Sequence, residues 1–264
     1  MKKLGFFLIV AFIAISAVYI LLFNTNDEFE EGNLYNEIAQ RGYIKVGINT
    51  DSRPFGFYDK EGNIIGYDAD LAAYIAQYLV KNPQKVEFIP VTPANRLLKA
   101  STGEVDMVIS TVTITPQRQQ VVDFSISYDR AGQAVMVKSS SEIKGMQDLA
   151  GQSIGVIFGT TAESNIQRLV PTAYIQGFKT YQEAYNALKS GRVNAITSDD
   201  TILKRFSMED KDVKLLPQRY SSEPYGIAFK KGSSTARLKE ELDFAIKDMQ
   251  RKNILARLRN KWGV

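Results

Sequence analysis

The 264-residue chain contains neither cysteine nor histidine. Without thiols there are no disulfides, thiolate metal sites or cysteine nucleophiles, and without imidazole there is no Ser-His-Asp relay and no histidine-held metal. Any catalysis would rest on carboxylates, Lys, Tyr, Ser or Thr. Charge of one sign is also scarce: 33 basic residues face 29 acidic ones, a net of +4. That excess, to which Lys2 and Lys3 of the N-terminal segment contribute, is too small for nucleic-acid binding. What is present is the mixture of a globular chain, 44% hydrophobic, 23% charged and 11% aromatic. It suffices for one large core or two smaller ones and excludes a disordered or fibrous protein.

Leu4 to Phe23 run without a charge, about 30 Å as a helix, the thickness of a bilayer core. Lys2 and Lys3 would keep the N-terminus cytoplasmic. Ile15-Ser16-Ala17 offers a small-residue cleavage site, yet Val18 to Phe23 stays apolar beyond it. Residues 1–24 therefore read as a cleaved signal peptide or as an uncleaved anchor, and in both cases the remainder leaves the cytoplasm. It would work in the periplasm or at the extracellular face of the membrane. No cysteine follows the run, so a lipid anchor is excluded. Residues 25–41, polar and acidic at their start, read as a linker.

From Gly42 onward β-rich and helix-periodic stretches alternate. Tyr43 to Asn49 reads as a strand, and Phe55 to Asp59 with Ile64 to Asp68 flank the hairpin signature Lys60-Glu61-Gly62-Asn63. Leu71, Ile75, Tyr78 and Leu79 recur at helical spacing. Strand Val86 to Val91, helix Asn95 to Ala100 and strand Val105 to Ser110 follow. A second set comprises strands Gln133 to Lys138 and Ser153 to Phe158, helix Tyr181 to Lys189, and strands Val193 to Thr197 and Gly226 to Phe229. Helices Thr235 to Gln250 and Ile254 to Trp262 close the chain. The alternation predicts parallel α/β sheets. Leu98-Lys99, Ser101, Gly103 and Val105-Asp106 are echoed by Leu188-Lys189, Ser190, Gly191 and Val193-Asn194, a hint of two similar lobes.

In open α/β sheets ligands bind beyond the carboxyl ends of the strands. Three such loops are polar. In Thr111-Val112-Thr113-Ile114-Thr115-Pro116-Gln117-Arg118, Thr115 can cap a helix that Pro116 opens. Arg118 then opposes the helix dipole in the first turn, which a bound anion would explain, unless the side chain simply points to solvent. In Gly159-Thr160-Thr161-Ala162-Glu163, Thr160 and Glu163 form a capping-box pattern and the glycine allows close backbone approach. Ser198-Asp199-Asp200 places carboxylates at a strand end, where they would meet a cation or cap the next helix. An arginine, a carboxylate and hydroxyl donors in three loops match a free amino acid: guanidinium for its carboxylate, an anion for its ammonium.

These residues resemble the bacterial solute-binding family 3, extracytoplasmic amino-acid-binding proteins that feed ABC importers. The likeness spans Gly42 to Trp262 and rests on Pro54-Phe55-Gly56-Phe57, Gly66-Tyr67-Asp68-Ala69-Asp70-Leu71, Asn95-Arg96 and Val105-Asp106 leading to Thr113-Ile114-Thr115-Pro116-Gln117-Arg118. Val122-Asp123-Phe124-Ser125, Gly159-Thr160-Thr161, Ser198-Asp199 and Tyr225-Gly226-Ile227-Ala228-Phe229 complete it. Ala69 departs from the larger aliphatic usual in the helix-opening motif.

The resemblance implies an α/β protein of two Rossmann-like lobes joined by two crossing hinge strands, the type II periplasmic-binding-protein fold, preceded by the N-terminal hydrophobic segment. Lobe 1 would comprise 42–129 plus 225–264, and lobe 2 residues 130–224. The crossings would fall at Tyr128 to Gly132 and Ser221 to Tyr225. Family roles carried over give Arg118 to the α-carboxylate, Asp199 to the α-ammonium, Thr111 and Thr113 to contacts with the same groups, and Thr161 and Gly159 to closure from lobe 2. The positions that frame a cationic side chain in some members are here Asn49, Ser52 and Pro93, none aromatic, which argues against a cationic ligand. Asn95-Arg96 resembles the binders of acidic amino acids. Arg96 is therefore expected to pair with a second carboxylate, and glutamate or aspartate is the first expectation, with glutamine or another neutral polar amino acid the alternative. Pro54, Phe55, Phe57 and Trp262 are expected to pack. The partners implied are a free amino acid and a membrane permease, with the membrane itself if the anchor is uncleaved. No cofactor, metal or nucleic acid is expected, and a monomer is the default.

Two other classes share the fold. The likeness extends to cyclohexadienyl dehydratases and to a regulatory module of peptidoglycan lyases, with Asp199 or Glu223 as the conceivable acid. An ammonium-pairing aspartate should instead stay ionised, so no enzymatic activity is expected. A membrane-held sensor domain is the remaining alternative.

Overall fold

The computed structural model describes residues 33–264. The segment read as signal peptide or anchor and the polar start of the linker lie outside the described residues, among which no helix is long and apolar enough to cross a membrane. In chain order the elements are α1 (Leu34–Arg41), β1 (Ile44–Asn49), β2 (Asp51–Ser52), β3 (Gly56–Tyr58), β4 (Ile64–Ile65), α2 (Tyr67–Val80), β5 (Val86–Val91), α3 (Arg96–Thr102), β6 (Met107–Val108), β7 (Val122–Phe124), β8 (Asp129–Ala131) and β9 (Gln133–Lys138). They continue with β10 (Ser153–Ile157), α4 (Thr161–Leu169), β11 (Tyr174–Phe178), α5 (Tyr181–Ser190), β12 (Ala195–Asp199), α6 (Asp200–Glu209), β13 (Val213–Leu215), β14 (Glu223–Tyr225), β15 (Ala228–Lys230), α7 (Ala236–Arg251) and α8 (Ile254–Trp262).

Two five-stranded sheets form the two lobes, in the orders β5-β1-β6-β15-β7 and β11-β10-β12-β9-β13. Each begins with three parallel strands whose first in sequence lies in the middle. The parallel sheets expected from the alternation are thus only half of the answer. β15 pairs antiparallel with β6 and β7, and β9 pairs antiparallel with β12 and β13. The strand that runs against its neighbours in each sheet is the one directly after a crossing, β9 after β8 and β15 after β14. The sequence echo falls on equivalent places: α3 ends at Gly103 (φ 78°) before β6, and α5 at Gly191 (φ 81°) before β12. In both, the left-handed residue stops the helix and returns the chain into the third parallel strand.

The crossings pair with each other as an antiparallel ribbon of β8 and β14, in which Asp129 faces Tyr225 and Ala131 faces Glu223. Tyr128 N donates to Tyr225 O at 2.9 Å just before it. At its far end Gly132 N donates to Asp200 Oδ1 and Gln133 N to Ser221 Oγ, each at 3.0 Å. Tyr128, Gly132, Ser221 and Tyr225 therefore lie at the ends of the two strands that connect the lobes.

In the first lobe Leu71, Ile75, Leu242 and Ile246 are fully buried on one side of the sheet, while Ala100 of α3 packs with Val105, Val108 and Ala228 on the other. Covering both faces explains why β1 reads as an unbroken apolar run. The linker reading of 25–41 fails at its end, because α1 packs Ile38 without exposure into the main core. Four polar residues in eight hid one buried face. The second hairpin strand also stops earlier than expected: Gly66 takes φ 133° and α2 opens at Tyr67, with Asp68 and Asp70 in its first turn. The strand expected from Val105 to Ser110 pairs only over Met107–Val108, after which the chain leaves the sheet. Phe55 is fully buried edge-on to Tyr67 and Tyr225, and Trp262 packs against Phe57 while donating to Asp70 at 2.7 Å.

Candidate functional site

The carboxyl ends of β1, β6, β10 and β12 converge where the lobes meet. Asn49 ends β1; its amide donates to Ser110 Oγ at 3.1 Å and its side-chain oxygen accepts from Asp51 N at 3.0 Å. Ser52, fully buried, donates to Asn49 O at 3.4 Å. Both hold the turn after β1. Beyond β6 comes Thr111, a β-branched residue at φ 47°, a left-handed conformation such residues rarely adopt. Its amide donates to Asp68 Oδ2 at 3.1 Å, and Asp68 Oδ1 accepts from Tyr128 Oη at 3.1 Å. Burial raises Asp68 to about 7 against these two hydrogen bonds, which pull it down.

Arg118 does not open an α-helix as expected. It starts a short 3-10 turn at Arg118–Gln120, whose first amide donates to Thr115 Oγ1 at 3.2 Å. The side chain is 9% exposed and points inward. Nη1 donates to Thr113 O at 2.9 Å and Nη2 to Gly159 O at 3.0 Å, so one guanidinium touches both lobes. Burial, then the nearby Arg96 charge, lowers Arg118 to about 10, while Asp199 and Glu223 counteract.

The capping box expected at Thr160 and Glu163 does not form. Thr160 Oγ1 donates to Ile157 O at 2.8 Å and Glu163 Oε2 accepts from Gly159 N at 3.3 Å, which leaves Thr161, half-buried, as the first residue of α4. Gly159 sits at φ 78°, and a Cβ there would lie 2.5 Å from Pro93 O and 2.8 Å from Ala94 Cα. Only glycine permits that approach of one lobe to the other. A second tie joins Tyr181 N, at the start of α5, to Asp51 Oδ2 at 2.5 Å, a carboxylate from the first lobe at a helix N-terminus of the second.

Asp199 is the last residue of β12, two residues beyond the strand end expected from the sequence, and it is nearly buried. Its Oδ2 accepts from the Tyr225 phenol. Burial lifts its carboxyl to about 6, with Glu223 pushing the same way and Tyr225, Arg96 and Arg118 pulling down. Glu223, 3% exposed, accepts from Ser221 Oγ at 2.5 Å and Asn165 Nδ2 at 3.3 Å. Arg96 is 3% exposed, and its Nη1 is held by the Ser110 carbonyl and, at 3.4 Å, by that of Thr111. Arg96 Nε and Gln133 Oε1 are buried without a hydrogen-bond partner. An unsatisfied buried polar atom costs about 1–3 kcal/mol, so a polar ligand here would be stabilising.

The structure thus gathers Arg118, Asp199, Thr111, Thr113, Gly159, Thr161 and Arg96 around one junction between lobes, with Asn49 and Ser52 bracing its rim. Asp68, Tyr181 and Gln133 were not singled out as site residues in the sequence. Asp68 reads there as an ordinary helix-start acid, and nothing in its local spacing betrays that it faces Thr111, 43 residues away. Among the described residues no cluster of carboxylates could hold a metal ion.

The family model for bacterial extracellular solute-binding proteins, family 3, matches residues 44–264. The ABC transporter glutamine-binding protein GlnH of Bacillus subtilis is 36% identical over 227 residues, covering 85% of this chain and 82% of that protein. The glutamine-binding protein of Geobacillus stearothermophilus is 36% identical over 197 residues, covering 74% and 75%. Among solved structures, an ancestral arginine-binding protein bound to glutamine superposes with a TM-score of 0.77 at 36% identity, covering 84% of this chain and 98% of that one.

Proposed function

We infer, since the chain belongs to the bacterial extracellular solute-binding proteins of family 3, that it captures free glutamine and closes its two lobes over it. As an amino-acid-binding protein of an ABC importer it works outside the cytoplasm and hands its ligand to a membrane permease. One observation carries the binding mode: Arg118 reaches carbonyls on both lobes while Asp199 lies buried within its electrostatic reach. The α-carboxylate would take the Arg118 fork, and the α-ammonium would take Asp199 and restore its ionised form. Thr111, Thr113, Thr161 and the Gly159 backbone line the remaining polar edge. Ligand contacts to both lobes favour the closed state, and that preference is the energy of closure. In this reading the hinge is the β8–β14 ribbon, bending near Tyr128, Gly132, Ser221 and Tyr225.

The expected preference for glutamate or aspartate rested on Arg96 meeting a second carboxylate. In the structure the Arg96 guanidinium is drawn to the Ser110 and Thr111 carbonyls, so it braces the loop that carries Thr111. A second ligand carboxylate would have to be desolvated on burial, whereas a carboxamide adds no charge. Asn49, beside Ser110 at the end of β1, is the candidate to read it. The names of the two glutamine-binding relatives support the same choice.

The experiment is thermal unfolding of the full-length protein, freed of carried-over ligand by refolding, with each common amino acid in turn. Glutamine at 100 times its dissociation constant should add about 2.7 kcal/mol. A shift for glutamate or aspartate alone would return Arg96 to the ligand. Turnover of prephenate would instead point to a lyase using Asp199 or Glu223 as acid.

A further inference from the structure

The buried carboxylate of Asp68 joins three parts of the molecule that the proposed binding mode treats separately. It sits in the first turn of α2 with no exposure. One oxygen accepts from the amide of Thr111 in the loop after β6, and the other from the phenol of Tyr128 at the entrance of the β8–β14 ribbon. Tyr128 in turn donates its own amide to Tyr225 O, and Tyr225 donates its phenol to Asp199. A chain of hydrogen bonds therefore runs from the loop that carries Thr111, through Asp68, to the connecting ribbon and to Asp199.

Thr111 is the strained member. A β-branched residue at φ 47° crowds its side chain against its own backbone, and such conformations persist only where surrounding contacts impose them. Two contacts impose this one: Asp68 holds the amide, and Arg96 holds the Thr111 carbonyl at 3.4 Å. A carboxylate suits the task because it presents an acceptor to each of two donors facing it from different elements. An asparagine at 68 could keep both contacts only by reversing the second, its N–H₂ donating to Tyr128 Oη, whereas an alanine keeps neither.

We propose that Asp68 is a positioning residue for ligand binding: by holding Thr111 in its left-handed conformation and tying it to Tyr128, it sets the geometry of the binding loop relative to the hinge. The proposal deepens the amino-acid-binding reading and rests on it. Asp68 touches no ligand itself. Its removal is therefore expected to weaken binding beyond any loss of stability.

The test uses full-length wild type, Asp68→Ala, Tyr128→Phe, Thr111→Gly and the double variant Asp68→Ala/Thr111→Gly, read by glutamine titration and by hydrogen exchange at the Thr111 amide. Asp68→Ala should weaken glutamine binding by about tenfold or more and speed Thr111 exchange by a similar factor, consistent with loss of a buried hydrogen bond. Glycine adopts a positive φ unaided, so in the Thr111→Gly background the same change should cost only about threefold or less. Tyr128→Phe, a gentler change that keeps the ring packing, should weaken binding in the same direction and decides the matter if Asp68→Ala does not fold. Glutamine affinity within twofold of wild type in Asp68→Ala overturns the proposal, as does an equal loss in both backgrounds. If wild type binds no glutamine, the functional reading fails on its own. The proposal is then decided at Thr111: faster exchange in Asp68→Ala supports it, and unchanged protection overturns it.

Discussion

The Arg118 guanidinium donates to Gly159 O at 3.0 Å across the junction of the two lobes, while its other terminal nitrogen donates to Thr113 O at 2.9 Å in its own lobe. One side chain thereby ties the loop after β6 to the loop after β10. The α-carboxylate proposed for the free face of this fork would bind at the contact between the lobes.

Arg118→Ala should weaken glutamine binding by roughly 2–5 kcal/mol, because it leaves the ligand carboxylate buried without its bidentate partner. Arg118→Lys should recover little of this, since an ammonium lacks the planar fork that meets a carboxylate at two points. Calorimetric titration measures both. Near-wild-type affinity for Arg118→Ala removes the assignment of the carboxylate site.

Gly159→Ala tests closure separately from contact. The added methyl meets Pro93 O and Ala94 Cα, atoms of the opposite lobe, and the residue is forced to hold φ 78°. Ligand affinity should fall by about tenfold or more, on the scale of a 1.4 kcal/mol penalty. The radius of gyration in saturating glutamine should stay closer to the ligand-free value than it does in wild type. A variant that binds and contracts like wild type would show that the lobes can close without this approach.

Asp199 makes binding depend on pH in a stated direction. Its carboxyl, raised to about 6 by burial, takes up a proton as the pH falls through that value, and a protonated acid cannot pair with an ammonium. Glutamine affinity should be level near pH 7–8 and fall by up to about tenfold per pH unit below 6. Stability of the ligand-free fold should move the other way. Between its ordinary value of 3.8 and about 6 the native state holds more protons at this group than the unfolded chain, so this group's contribution declines as pH rises through that window. Asp199→Asn should weaken binding and flatten its pH profile. An unchanged profile in that variant assigns the titration to another group.

Helix α1 is expected to belong to the folded body. Ile38→Ala should lower unfolding free energy by about 2–5 kcal/mol, the usual range for emptying a fully buried aliphatic site, with glutamine affinity little altered. Chemical denaturation with and without ligand measures the two effects.

How much of this was legible in the sequence depended on whether the causes were local. The apolar runs of β1, β5 and β10, the helical spacing of Leu71 and Ile75 and the glycine stops at Gly103 and Gly191 announce themselves within a few residues. Arg118, Thr113, Gly159 and Asp199 could be singled out as candidates because each lies at or beyond a strand's carboxyl end in a polar stretch. α1 was misread because one buried face in eight residues, half of them polar, gives too short a pattern. Asp68 and Tyr181 went unnoticed as site residues because their roles depend on partners 43 and 130 residues away. The carbonyl contacts of Arg96 were illegible for the same reason: sequence shows that a cation stands at the start of α3, but only the fold shows that Ser110 O lies beside it.

The central claim is that the junction between the lobes holds glutamine, and direct calorimetric titration of ligand-free, full-length protein with glutamine and with glutamate at pH 7.5 tests it most directly. The account predicts saturable one-to-one binding of glutamine, with glutamate weaker by at least about tenfold, the cost of desolvating a second carboxylate where a carboxamide brings no charge. Tighter binding of glutamate than of glutamine would contradict it.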